Sequence, residues 1–134
     1  MPIAVKSANT ILYCGKWEET VRFYRDRLEL PVTFSSDWFV EFRSGDGAFI
    51  SIADEKRSSV KSCRGQGVTI TLEVDDIEAA HRAAGEIGLN PTDIRTHPWG
   101  ARVFYLRDPE GHRLEIWRKE ASATAEAPAG SPGY

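Results

Sequence analysis

The sequence predicts an α+β fold of tandem βαβββ modules, with two curved mixed four-stranded sheets forming a cleft and the helices on the outer faces. Three observations lead there. First, the pattern strand, turn, helix, proline, strand that starts at Asn9 (NTILYCGKWEETVRFYRDRLELP) starts again at Thr69 (TITLEVDDIEAAHRAAGEIGLNP) without a gap. In that register Leu12 lies over Leu72, Trp17 over Ile77, Glu18 over Glu78, Arg22 over Arg82 and Pro31 over Pro91. Second, a charged, Ser/Gly-rich stretch from Asp54 to Gly67 lies between the copies and reads as a linker. Third, modules this small are not stable alone, so the economical solution packs two sheets together under covering helices.

In the first half, Asn9 to Cys14 is strand-like. A helix is expected from about Trp17 to Leu30, because Trp17, Val21, Tyr24 and Leu28 form one apolar stripe. Pro31 ends it. Strands follow at about Val32–Ser35, Trp38–Arg43 and Ala48–Ala53, with Gly45-Asp46-Gly47 turning between the last two. In the second half, Val68–Val74 alternates an apolar face (Val68, Ile70, Leu72, Val74) with a polar one (Thr69, Thr71, Glu73). Asp75 is the expected N-cap of the second helix, with Glu78 completing a capping box. Ile77, Ala80, Ala84 and Ile87 make its stripe, and Gly88 stands where a left-handed C-terminal residue belongs. Strands follow at about Thr92–Thr96, Arg102–Leu106 and Arg113–Arg118. Asp108-Pro109-Glu110-Gly111 is a turn sequence. The last strand puts Leu114 and Ile116 on one face and Arg113, Glu115 and Trp117 on the other. Polar faces turned away from the helices fit a ligand cleft or simply solvent.

The chain has 134 residues, 41% of them hydrophobic and 28% charged, with a formal charge of −3. That balance describes a globular protein and argues against a nucleic-acid partner. No apolar run approaches the ~18–20 residues that span a bilayer, so no membrane partner is expected. No signal peptide is visible. The two cysteines, Cys14 and Cys63, form no disulfide framework, which fits a cytoplasmic location. Residues 1–60 are expected to hold the first module with its linker and 61–120 the second. Residues 121–134, rich in small residues and proline, are expected to be a flexible tail.

The segments EETVRFYRDRLEL, from Glu18, and DPEGHRLEIW, from Asp108, resemble the vicinal oxygen chelate superfamily over about residues 3–119. That superfamily contains glyoxalase I, bleomycin-resistance proteins and extradiol dioxygenases. Its metalloenzymes hold a divalent ion through one residue near the start of each module's first strand and one on each last strand. The resemblance carries these positions to Asn9, Thr69, Ser51 and Glu115. Only Glu115 is a credible ligand type, so the set is not competent for a catalytic ion and no metal or other cofactor is expected.

Glu115 is either an inherited carboxylate satisfied by Arg113 or Arg102, or a polar anchor on a cleft floor. Of the three histidines, His81 reads as a half-exposed helix residue and His112 as an exposed turn residue. His97, in the extra HPWG segment, is kept with Glu115 as an acid–base candidate. The expected ligand-binding residues are Asn9, Tyr13, Trp38, Phe49, Ser51, Thr69, Thr71, Trp99, Glu115 and Trp117, an aromatic lining with few polar groups. The bleomycin-resistance-type members imply a small organic ligand, aromatic and neutral or cationic, bound without metal by a homodimer for antibiotic sequestration. The alternative is a metal-dependent glyoxalase-like lyase or dioxygenase with an atypical ligand set, so enzyme activity stays open.

Overall fold

The computed structural model describes residues 2–120. It contains two mixed four-stranded sheets, and its contacts divide the chain into two compact units. One unit runs to Gly67 and adds Asp108–His112. The other comprises Val68–Arg107 and continues from Arg113. The expected tail lies outside the described residues.

In the first unit, β1 (Ala8–Cys14) is parallel to β4 (Ala48–Asp54). The sheet continues through β3 (Phe39–Gly45) to β2 (Val32–Ser35), in the order β1-β4-β3-β2. Period-two alternation is clear in β3, where Val40 and Phe42 are buried while Glu41 and Arg43 face the other way. Helix α1 (Trp17–Arg22) packs on β1 and β4, and Trp17 Nε1 donates to the Ile52 carbonyl at 2.9 Å. The helix expected to continue to Leu30 changes character. Phe23–Arg27 is a π-helix, with Leu28 N donating to Phe23 O. Two sequence neighbours in it, Phe23 and Tyr24, are both buried.

The second unit repeats the plan. Strand β5 (Thr69–Glu73) is parallel to β8 (Arg113–Lys119), followed by β7 (Ala101–Arg107) and a two-residue β6 (Arg95–Thr96). Helix α2 (Ile77–Glu86) packs on β7 and β8. Its N-cap is Asp76 rather than Asp75: Asp76 Oδ1 accepts from Ala79 N at 3.0 Å. Either carboxylate satisfies the composition rule, and only the backbone direction selects one. Gly88 is left-handed, at φ 78°. The strand expected over Thr92–Thr96 is shorter because Thr92 bonds out of register, Tyr105 N donating to its hydroxyl at 2.8 Å.

The turn Asp108–His112 belongs to the first unit, and two buried carboxylates organise it. Asp108 Oδ1 accepts from Glu110 N and His112 N at 3.0 and 2.9 Å. Its Oδ2 accepts from the Tyr24 hydroxyl, 2.8 Å away, and lies 2.8 Å from His112 Nδ1. The acceptor-only carboxylate therefore places the histidine proton on Nδ1. His112, expected on the surface, is 1% exposed. Its ring turns inward because Asp108 provides a partner that the apolar interior lacks. Burial and the Asp108 charge push the Tyr24 phenol well above its ordinary range.

Glu110 accepts from Gly15 N and Lys16 N, both at 2.8 Å, from the Ser62 hydroxyl, and from Arg64 Nη1 at 3.1 Å. Burial pushes this carboxyl up, but the four donors outweigh it and hold it below the usual range. The stretch expected to be a plain linker is thereby anchored. It begins with a 3₁₀ turn at Glu55–Arg57, and Ser62 and Arg64 clasp Glu110. Gly65, at φ 80°, lies so close to the Gly111 backbone that a Cβ there would collide with its carbonyl.

Two stability changes test this anchoring. Gly65→Ala is expected to destabilise by about 2 kcal/mol or more, from a backbone clash added to a left-handed φ, as read by urea unfolding. Glu110→Gln is expected to cost about 2–3 kcal/mol at pH 7, through lost charge-assisted bonds. The folded-state carboxyl lies below its unfolded value. Its contribution is therefore present above the unfolded value, ~4.3, and is lost as pH falls through the lower folded one. The gap between variant and wild type should close in acid, and a gap that persists there would place the defect elsewhere.

Candidate functional site

Each sheet turns one face away from its helix, and the predicted site residues divide between these two faces. In the first unit, Asn9, Ile11 and Tyr13 of β1 share a face with Phe49 and Ser51 of β4 and with Phe39 and Glu41 of β3. Four polar side chains form a chain across the strands. The Ser51 hydroxyl donates to Asn9 Oδ1 at 2.8 Å, Asn9 Nδ2 donates to Glu41 Oε2 at 3.3 Å, and the Thr33 hydroxyl donates to Glu41 Oε1 at 2.7 Å. Around this row lie half-buried and exposed apolar groups. Phe34 is 55% exposed and meets Phe39 edge-on, as Trp38 does.

In the second unit, Thr69, Thr71 and Glu73 of β5 share a face with Arg113, Glu115 and Trp117 of β8, and with Val103, Tyr105 and Arg107 of β7. Glu115 stands at the centre and is 0% exposed. The Tyr105 hydroxyl makes a long bond to Glu115 Oε2, at 3.4 Å. Oε1 is buried without a hydrogen-bond partner among the described residues. Neither arginine expected to satisfy this carboxyl does so through a hydrogen bond. Arg102 pairs with Glu78 at 2.6 Å. Arg113 lies 4.6 Å over the Tyr105 ring and donates to the Thr69 hydroxyl. Burial pushes the Glu115 carboxyl above its ordinary range, and the Tyr105 hydroxyl and the charges of His97 and Arg113 hold it back in part.

The HPWG segment forms the tight connection between β6 and β7, with His97 N bonded to Ala101 O and Gly100 N to His97 O. His97 stacks on Trp99 at 5.8 Å with their planes 12° apart, and Trp99 meets Trp117 edge-on at 6.3 Å. Thus His97, Trp99, Trp117, Glu115 and Thr71 are gathered in one unit, and Asn9, Tyr13, Trp38, Phe49 and Ser51 in the other. His81 is partly exposed, its ring edge-on to Phe104 and its Nε2 2.9 Å from the Thr92 carbonyl.

Sequence reasoning missed Glu41 and Tyr105. The two are equivalent in the repeat: Glu41 is paired with Ser51, and Tyr105 with Glu115. The signal was present in strand parity, because a residue directly across the antiparallel pair must share the face.

The residues at the positions the superfamily uses for metal do not fit a divalent ion. The Asn9 amide oxygen already accepts from Ser51, and Ser51 contributes only a neutral hydroxyl. The Thr69 hydroxyl accepts from a guanidinium, whose charge repels a cation. Glu115 is the sole carboxylate of the four. Among the described residues no group of three His, Cys, Asp or Glu side chains is placed to hold a metal.

A family model described as Glyoxalase/Bleomycin resistance protein/Dioxygenase superfamily matches residues 6–116. The uncharacterized protein YraH of Bacillus subtilis is 24% identical, over 80% of this chain and 93% of its own length. The lactoylglutathione lyase of Agrobacterium tumefaciens superposes with a TM-score of 0.72 at 20% identity, over 88% of this chain and 95% of that one. The bleomycin resistance determinant encoded on the transposon Tn5 superposes with a TM-score of 0.67 at 19% identity, over 85% and 98%. At these identities the two structures share the fold with this chain. No helix among the described residues is long and apolar enough to cross a membrane.

The buried carboxyl yields a stability prediction with a defined sign. Glu115 has a folded-state value above its unfolded one. Its favourable contribution is therefore complete below the unfolded value and is lost as pH rises through the folded one. Glu115→Gln, which does not titrate, should gain stability relative to wild type as pH rises above the ordinary carboxylate range. Urea unfolding from pH 4 to pH 8 reads this, and parallel curves would show that Glu115 ionises as freely as an exposed carboxyl.

Proposed function

The chain belongs to the Glyoxalase/Bleomycin resistance protein/Dioxygenase superfamily, and from that membership we propose that it is a metal-free binding protein of the sequestration type for a small, neutral or cationic aromatic molecule. One observation carries the reading: Glu115 Oε1, buried and without a hydrogen-bond partner among the described residues, on the same strand face as Trp117. A buried acceptor left unmatched costs about 1–3 kcal/mol, which a ligand N–H or O–H recovers. Aromatic side chains flank it to receive a flat ring. Sequestration needs affinity and no chemistry, so a poor metal-ligand set is no obstacle to it. A homodimer and a cytoplasmic setting complete the proposal, supported by the family resemblance and by the free cysteines Cys14 and Cys63.

The test is a tryptophan-fluorescence titration with bleomycin and a panel of flat aromatic natural products, alongside elemental mass spectrometry of the purified protein. We expect saturable quenching and negligible divalent metal. Glu115→Ala should weaken binding by about tenfold or more, the loss of one hydrogen bond to a charged group, with the fold retained. Trp117→Ala should reduce the quenching. Near one metal per chain, with no saturable ligand, would instead favour a lyase or dioxygenase acting through ligands other than these four.

A further inference from the structure

The β6–β7 turn brings two rings to the face that holds the buried carboxyl. The extra segment between β6 and β7 sets His97 close enough for its charge to act on Glu115, and sets Trp99 against Trp117, two residues along β8 on the same face. His97 and Trp99 are stacked, their planes 12° apart, so the segment carries a two-ring stack. A two-residue β6 and the short bonds His97 N to Ala101 O and Gly100 N to His97 O define this turn, and Gly100 adopts φ 93°. The stacked pair therefore stands on a narrow base, whereas Glu115 and Trp117 lie within the continuous β5-β8-β7 ladder. A turn held by few bonds opens at lower cost than a strand inside a continuous ladder.

We propose that His97 and Trp99 occupy a ring subsite over Glu115 and Trp117, and that the turn yields it to a planar heteroaromatic whose adjacent N–H donors face the Glu115 carboxyl. This rests on the binding-protein reading and adds the subsite, its internal occupant and the ligand's hydrogen-bonding edge. An N–C–N edge with two N–H groups matches a carboxyl as a guanidinium does. Oε1 lacks a hydrogen-bond partner among the described residues, and the Tyr105 bond to Oε2 is long, so the carboxyl has capacity beyond Tyr105 and the neighbouring Thr71. Arg113 is drawn away from this edge by the Tyr105 ring and Thr69, at the end of the face opposite Trp117. The ligand ring then takes the place against Trp117 that Trp99 holds.

The test uses the whole chain and 2-aminobenzimidazole, a flat ring with such an edge. Glu115 is labelled with a water-soluble carbodiimide and glycine ethyl ester, and its peptide is followed by mass spectrometry. Wild type should label slowly. Trp99→Ala should label roughly five- to tenfold faster, the equivalent of one aromatic pair, and millimolar 2-aminobenzimidazole should restore slow labelling. Trp99→Leu, which keeps apolar bulk without a flat ring, should show the same order by a smaller factor and serves if alanine disturbs the fold. Unchanged labelling in both folded variants overturns the subsite, whatever the ligand titration shows. Faster labelling with no protection by the probe overturns the ligand class and counts against the binding reading itself.

Discussion

The Asp108 carboxylate is the group on which the β7–β8 turn depends. It accepts two backbone N–H groups of its own turn through one oxygen, and binds the Tyr24 hydroxyl and His112 through the other. No single bond of this kind contributes more than a few kcal/mol, but all four converge on one buried charge that is intolerable without them. The turn is therefore held as a unit. Glu110 holds the next layer by gathering the amides of Gly15 and Lys16 with Ser62 and Arg64. Strand β8 starts at the residue after this turn, so the register that places Glu115 opposite Thr71 and Tyr105 begins from a fixed point.

From there the two sheets use one design for different chemistry. In each, the last strand lies between a parallel partner and an antiparallel one, and its central polar residue faces both. In the first sheet that residue is Ser51, and the set Asn9, Ser51, Glu41 and Thr33 is hydrogen-bonded within itself. In the second it is Glu115, whose neighbours leave one oxygen unmatched. A satisfied network rigidifies a face, while an unmatched buried acceptor is a reservoir of binding energy. On the second face the β6–β7 turn adds the stacked His97 and Trp99, with Trp99 against Trp117 on the same strand as that carboxyl.

Much of this was legible in the chain. The repeat, both helices, the Gly45–Gly47 and Asp108–Gly111 turns, and the alternation of β8 all follow from spacing, because neighbouring residues settle those choices. Errors arose where a partner distant in sequence decides the outcome. His112 looked like a turn surface residue because its partner, Asp108, is itself buried by Tyr24 from the other end of the chain. The stretch after Asp54 looked like a linker because its charges and serines are anchored by Glu110, which no local pattern announces. The π-helical widening after Arg22, where Phe23 and Tyr24 are both buried, is not announced by the apolar stripe.

The sequence by itself determined the order of the strands and helices, the repeat that relates them, and which residues of the last strand share a face. Those are consequences of backbone period and turn chemistry, and the atoms that settle them are within a few residues of one another. Through its resemblance to the superfamily the sequence also carries the family's metal positions to one carboxylate among neutral side chains. Only the tertiary structure decided what those side chains do: that Asn9 and Ser51 satisfy each other, that Arg113 is taken by Tyr105 and Thr69, and that Glu115 is left with an unmatched oxygen near His97. A buried polar group's state depends on every atom within hydrogen-bonding reach, and the fold, not the chain order, chooses those atoms.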